Sequence, residues 1–161
     1  KINECKSNEE IAALEKRLSE FITIAKNNDY KSLNNSDKWS VLNWILRDKN
    51  DQELQFKIAK SIPAAIKIAG SQEYKDLGED NAGQNSQWKI FSNIISSKDD
   101  TILDFRVSRA WKFFEISKLE GYKKLEDTIK ILIVDTIFDF HDDQKIFDSK
   151  LQKIKAKYIL N

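Results

Sequence analysis

The chain has 161 residues, 40% of them apolar, 11% aromatic and 33% charged, with 27 basic against 26 acidic side chains and a formal charge of +1. That length suits one domain with a real core, and the aromatic content excludes a disordered chain. A balanced charge argues against a dedicated nucleic-acid binder, which carries a strong basic excess. The longest apolar run is Ile131-Leu-Ile-Val134, so no membrane span is expected, and the single cysteine, Cys5, cannot form an internal disulfide.

The chain starts at Lys1 and contains no Met. A soluble chain is expected, either cytoplasmic or exported after loss of a signal peptide, and cysteine usage does not choose between them.

The first helix is predicted to start at Ser7, where Ser7-Asn-Glu-Glu10 has the form of a capping box. Apolar residues then recur at Ile11, Leu14, Leu18, Phe21, Ile22 and Ala25. A second helix is predicted from Ser36 to Leu46, with Trp39, Leu42, Ile45 and Leu46 inward, and a third from Asp51 to Ala69, kinked near Ile62 by Pro63. Residues 70–86 hold three of the four glycines and a net charge of −3, and they read as one long loop that Tyr74 and Leu77 could anchor. Further helices are predicted at residues 87–95, 101–119, 122–140 and 144–160. Leu103, Val107, Ala110, Trp111 and Phe114 lie inward on the fifth, and Gly121 is expected in a left-handed cap just after it.

A repeat organises these helices. Trp39-Ser-Val-Leu-Asn-Trp-Ile-Leu-Arg-Asp-Lys-Asn-Asp51 returns 49 positions later as Trp88-Lys-Ile-Phe-Ser-Asn-Ile-Ile-Ser-Ser-Lys-Asp-Asp100. The register holds beyond it, pairing Lys57 with Arg106 and Lys60 with Arg109. A weaker third copy lies at a shift of 92, placing Leu42 on Val134 and Leu54 on Ile146. A period in this range marks stacked supersecondary units. The expected fold is all-α: a short right-handed α-solenoid-like stack of about seven helices, one leading helix plus three hairpins (residues 36–69, 86–120 and 122–160) in one domain.

The two clear hairpins resemble HEAT repeats. An apolar helix ends in a turn with an acidic residue, Asp51 or Asp100, and a basic residue follows six positions on, Lys57 or Arg106. Small residues follow at Ala59 and Ala110. The resemblance implies an α-solenoid fragment whose second helices line a docking surface and whose acidic and basic positions link neighbouring repeats.

The repeat also sorts residues by role. Trp39 and Trp88 share one position and are expected in the core. Trp44 lies off that face, opposite Asn93 and Thr136, so it is expected to be exposed and to contact a partner; Phe113, opposite Ala64, follows the same logic. Lys60, Arg109 and Lys112 form a basic row suited to an acidic partner surface. Tyr74 and Leu77 complete the candidate contact set. His141 sits among carboxylates in the turn Asp139-Phe-His-Asp-Asp143 and reads as solvated punctuation rather than a metal ligand.

No nucleophile elbow, phosphate loop, HExxH or paired-cysteine motif appears, and no cofactor is expected. The best-fitting function is a non-enzymatic protein-binding module, in its specific form an inhibitor or immunity-type protein that neutralises a partner. Two alternatives stand beside it: a HEAT-like DNA-binding or DNA-repair enzyme, and a subunit or fragment of a larger helical scaffold.

Overall fold

The computed structural model describes residues 7–138 and 143–160, and among these the chain is all-α, with no strand. Helix α1 (Asn8–Ala25) starts at the expected capping box: the Ser7 N–H donates to Glu10 at 2.9 Å, and the Glu10 N–H donates to the Ser7 hydroxyl at 3.2 Å. Asparagine side chains cap the next three starts. Asn27 caps α2 (Asn28–Lys31), Asn34 caps α3 (Asn35–Arg47) and Asn50 caps α4 (Asp51–Phe56).

Helix α4 runs on through a π-helical turn, Lys57–Ser61, into α5 (Ile62–Ala69). The turn stands immediately before Pro63, where a proline removes one backbone donor and crowds the carbonyl four residues back. Widening the preceding turn relieves that crowding, so the expected disturbance takes the form of a π bulge rather than a break.

Residues 70–86 are not the expected long loop. Ser71 caps a short helix, α6 (Gln72–Leu77), and Asp80 caps α7 (Asn81–Ile95), which begins six residues before the expected start at Gln87. Helix α8 (Asp100–Ser117) is followed by short α9 (Glu120–Lys123), α10 (Asp127–Phe138), α11 (Gln144–Ile154) and a second π-helical turn, Lys155–Ile159. Gly121 is not a left-handed cap, since no described residue has positive φ. It lies inside α9, and its missing Cβ admits the backbone carbonyl of Ile159, which a side chain would strike.

The three short helices expose a regularity that the hairpin reading passed over. They carry Tyr30-Lys-Ser-Leu33, Tyr74-Lys-Asp-Leu77 and Tyr122-Lys-Lys-Leu125. Each tyrosine is buried, and each leucine is buried or half-buried against the core. Tyr30 and Tyr122 stand at the same shift of 92 that relates the first and third hairpins. A Tyr-Lys-x-Leu segment that starts in a short helix thus stands at or before the start of each predicted hairpin.

Helix α7 sits at the centre. It packs against α3 on one side and α10 on the other, and also touches α5, α6 and α8; α1 packs on α3 and α11 on α10. Val41, Ile45, Ile90, Phe91, Ile94, Ile133, Val134 and Ile137 fill the seam between these helices. Removing a buried side chain of this kind typically costs about 2–5 kcal/mol.

The tryptophans do not take their expected places. Trp39 is 60% exposed and Trp88 46% exposed. The buried stripe of α3 is Asp37, Val41 and Ile45, and Trp39 lies two residues from the first two of these, on the opposite side of the helix. Trp88 bears the same relation to buried Ser86 and Ile90. Polar residues at the start of each stripe disguised it. Trp111 is likewise exposed rather than inward, with its ring edge-on to Phe114 at 5.3 Å.

Candidate functional site

The site begins at the first turn of α3. The Asn34 side chain caps the helix by accepting from the Asp37 N–H at 2.8 Å, which orients that turn. The Asp37 carboxylate points inward and is 1% exposed. Its Oδ2 accepts from the Tyr74 hydroxyl of α6 at 2.8 Å. The same hydroxyl stands 3.0 Å from the Gln87 carbonyl of α7, and the Gln87 side-chain amide donates to the Tyr74 carbonyl at 2.7 Å. These contacts fasten α3, α6 and α7 together.

The other carboxylate oxygen, Asp37 Oδ1, is buried with no hydrogen-bond partner. Burial raises the Asp37 pKa to about 6, and the Tyr74 hydrogen bond and the adjacent Asn34 side chain offset only part of the rise. Burial and the adjacent Asp37 charge push the Tyr74 phenol far above its ordinary range, so Tyr74 stays a donor.

Repeat symmetry shows what is unusual here. The residue equivalent to Asp37 in the second copy is Ser86, also fully buried, and its hydroxyl donates to the Ala82 carbonyl at 2.8 Å. Tyr74 thus clamps its copy to the copy before through a carboxylate, whereas the equivalent serine bonds within its own helix. A buried carboxylate with an unpaired oxygen costs stability, and such groups concentrate at functional sites.

Asp37 lies in the wall of a cleft of about 840 Å³ between the start of α3 and the first half of α7. Asn34, Asn85 and Gln87 supply amide groups, Trp88 stands at its edge, and Lys75 and Glu79 bring one charge of each sign. The cleft can hold a polar or cationic group, and Asp37 can exchange a proton near neutral pH.

The residues singled out from the sequence do not gather at one place. Trp44 is half-buried, with the Lys57 ammonium 4.4 Å from its ring centre, and borders a smaller cavity of about 310 Å³ with Arg47 and Asp48. Phe113 is fully buried, edge-on to Tyr122 and Phe138, so it offers a partner nothing. Arg109 is 1% exposed, with its guanidinium between the rings of Phe105 and Phe147. Tyr74 is buried and Leu77 half-buried against the core; both hold the fold, and Tyr74 reaches the cleft from inside.

Lys60 and Lys112 of the basic row stitch neighbouring helices, as Arg17 does outside it. Arg17 of α1 meets Asp51 at 3.1 Å, Lys60 meets Asp100 at 2.6 Å and Lys112 meets Asp148 at 3.2 Å. Lys57 and Arg106 each have partners inside their own hairpins. Lys57 forms a buried ion pair with Asp48, and Arg106 donates to the Asn93 carbonyl and the Ser96 hydroxyl at 2.9 Å each.

Sequence reasoning missed Asp37 and the exposure of Trp39 and Trp88. The recurrent Tyr-Lys-x-Leu segment was the available signal, since Tyr74 in its second occurrence is the partner of Asp37. His141 lies outside the described residues. Among those described, no group of three His, Cys, Asp or Glu side chains could hold a metal ion, and no helix is long and apolar enough to cross a membrane. No family model, curated protein or solved structure matches the chain.

Proposed function

We propose that the protein is a non-catalytic binding module that engages another protein through the face bearing Trp39 and Trp88, in the manner of an inhibitor or immunity-type protein. One observation carries this reading: two tryptophans hold equivalent repeat positions on adjacent helices, and both face solvent. Large exposed aromatic side chains lose little entropy on binding and dominate interface energetics. Resemblance to HEAT repeats supports it further, because stacked hairpins of that kind serve as docking surfaces. The contact belongs on the tryptophan face rather than the basic row, since Lys60 and Lys112 are already engaged by Asp100 and Asp148.

The test is capture of a stoichiometric partner from the source lysate by the unmodified chain, against a Trp39→Ser/Trp88→Ser variant with an unchanged circular dichroism spectrum. Loss of the complex in the variant is the expected result. Equal capture by both overturns the assignment of this face.

A second reading, a subunit of a larger helical scaffold, draws on α1. This helix has no buried residue and exposes Ile11, Leu18 and Ile22. Such a face suits another helix pair stacked on it. Self-association abolished by Leu18→Glu would favour this reading, and a concentration-independent monomer by light scattering would remove it.

A further inference from the structure

We propose that the cleft between α3 and α7 is a carbohydrate site, which takes a short segment of a neutral glycan chain. This goes beyond protein binding and does not rest on it. Five of the residues lining the cleft are amides, Asn34, Asn81, Gln84, Asn85 and Gln87, and each is exposed or half-buried. The indole of Trp88, 46% exposed, stands at the edge.

Two of the amides are fixed in place. Asn34 accepts from the Asp37 N–H through Oδ1 at 2.8 Å, which leaves its amide nitrogen as a donor. Gln87 donates to the Tyr74 carbonyl at 2.7 Å, which leaves its Oε1 as an acceptor. The side chains of Asn81 and Asn85 have no hydrogen-bond partner among the described residues. The cleft thus combines oriented polar groups with two uncommitted amides, and orientation before binding lowers the entropic cost of association.

The chemistry selects a sugar over other ligands. A sugar hydroxyl both donates and accepts, as an amide side chain does, and the C–H face of a pyranose ring can lie on an indole. The exposed charges in the cleft, Lys75 and Glu79, are of opposite sign, so a phosphate or an ammonium ligand meets no excess of counter-charge. Asp37 does not alter this balance for a ligand, being 1% exposed and bonded to Tyr74. An extended peptide presents alternate side chains that need pockets of their own, and the apolar lining residues Leu33 and Ala69 belong to the core. At about 840 Å³ the cleft lies in the upper part of the range typical of ligand sites, which suits linked rings better than a single one.

The experiment titrates the unmodified protein with neutral trisaccharides (maltotriose, cellotriose, mannotriose, galactotriose and N-acetylated chitotriose) and follows the tryptophan indole N–H resonances. A saturable shift of the Trp88 resonance with at least one of them is expected. Asn81→Ala/Asn85→Ala, which removes two outward amides, should weaken that binding about tenfold. Absence of a saturable shift with every trisaccharide overturns the site, as does undiminished binding by the double variant. A shift at Trp39, which does not line the cleft, in place of Trp88 overturns its location. A monosaccharide binding as tightly as its trisaccharide assigns the cleft to a free sugar and overturns the glycan chain. A blocked alternating alanine–serine tetrapeptide binding as tightly as the best trisaccharide assigns it to peptide backbone and overturns the sugar. The sugar and peptide arms need no variant, so a misfolded double variant does not blunt the test. Failure of every sugar leaves capture of a protein partner by the tryptophan face standing, and loss of that capture leaves the sugar site standing.

Discussion

Tyr74 donates its phenolic proton to Asp37 across 2.8 Å and across 37 residues of chain, and so binds the second copy of the repeat to the first. The bond holds a carboxylate in a place where the second copy has a serine. That substitution of charge for a neutral hydroxyl has a measurable consequence.

Asp37 has an ordinary carboxyl pKa of 3.8 when exposed and about 6 in the fold. The folded value is raised, so its stabilising contribution is complete below the unfolded value and is lost as pH climbs through about 6. Stability is therefore expected to fall between pH 4 and 6.5. Asp37→Asn, which still accepts from Tyr74, should flatten that slope and stabilise the protein at pH 7 by about 1–3 kcal/mol. Urea unfolding followed by circular dichroism across this range decides it; a variant less stable at pH 7, with the slope intact, shows that the carboxylate is not strained.

The ion pair of Lys57 with Asp48 behaves in the opposite sense. Burial pushes the Asp48 carboxyl up, but the hydrogen bond and charge of Lys57 outweigh it and hold the group below its ordinary range. Its contribution is present above the unfolded pKa and disappears as pH falls through the folded one. Asp48→Asn leaves the buried ammonium with only Glu53, at 3.9 Å, as counter-charge and should cost up to about 3–5 kcal/mol, whereas the paired change Asp48→Leu/Lys57→Met should cost much less. Chemical denaturation of the three variants separates these outcomes, and equal losses would remove the claim that the pair acts as a unit.

Exposed and buried aromatic residues should part company on truncation. Trp39→Ala and Trp88→Ala are expected to change stability by less than about 1 kcal/mol. Phe113→Ala, by contrast, empties a fully buried position and should cost about 3–5 kcal/mol. Thermal melts of the three proteins check the ordering, and a large loss at either tryptophan would return that side chain to the core.

Two glycines invite a paired test. A Cβ at Gly83 would overlap the Leu77 carbonyl where α6 turns into α7, while a Cβ at Gly70 meets nothing nearer than 3.5 Å. Gly83→Ala should destabilise by at least about 1–3 kcal/mol. Gly70→Ala, in a helical conformation with φ −76°, should stabilise by about 0.4–1 kcal/mol by restricting the unfolded chain. Matched melting curves would show the opposite signs, and a tolerated Gly83→Ala would mean that the α6–α7 junction can open.

Much of the local structure was legible. The Ser7 capping box, the start at Asp51, the α11 start at Gln144 and the disturbance near Pro63 all follow from interactions within a few residues of chain. The return of the Trp39–Asp51 segment as Trp88–Asp100 was legible too, being a property of the sequence itself. Short α6 and α9 were not: residues around α6 read as loop and those of α9 as a cap and the start of the next helix, and burial of Tyr74 and Tyr122 is what holds those turns.

The candidate site was legible only in part. Tyr74 drew attention as an anchor, but Asp37 looked like an ordinary first-turn acid at a helix N-terminus, a favourable place for an exposed carboxylate. Phe113 and Arg109 looked available because their counterparts, Ala64 and Lys60, are a small and a charged residue; the neighbours that cover them, Tyr122, Phe138 and Phe147, come from later helices.

Taken alone, the sequence determined that this chain is helical, where most helices begin and that its segments recur, because periodicity, caps and turns are short-range properties. Tertiary structure alone decided which stripe of α3 and α7 is inside, which cations are occupied and that an acid would be buried. Those outcomes depend on what packs against each helix from both sides: α7 is enclosed by α3, α5 and α10, so its stripe of Ser86, Ile90 and Ile94 turns inward and Trp88 is left facing water.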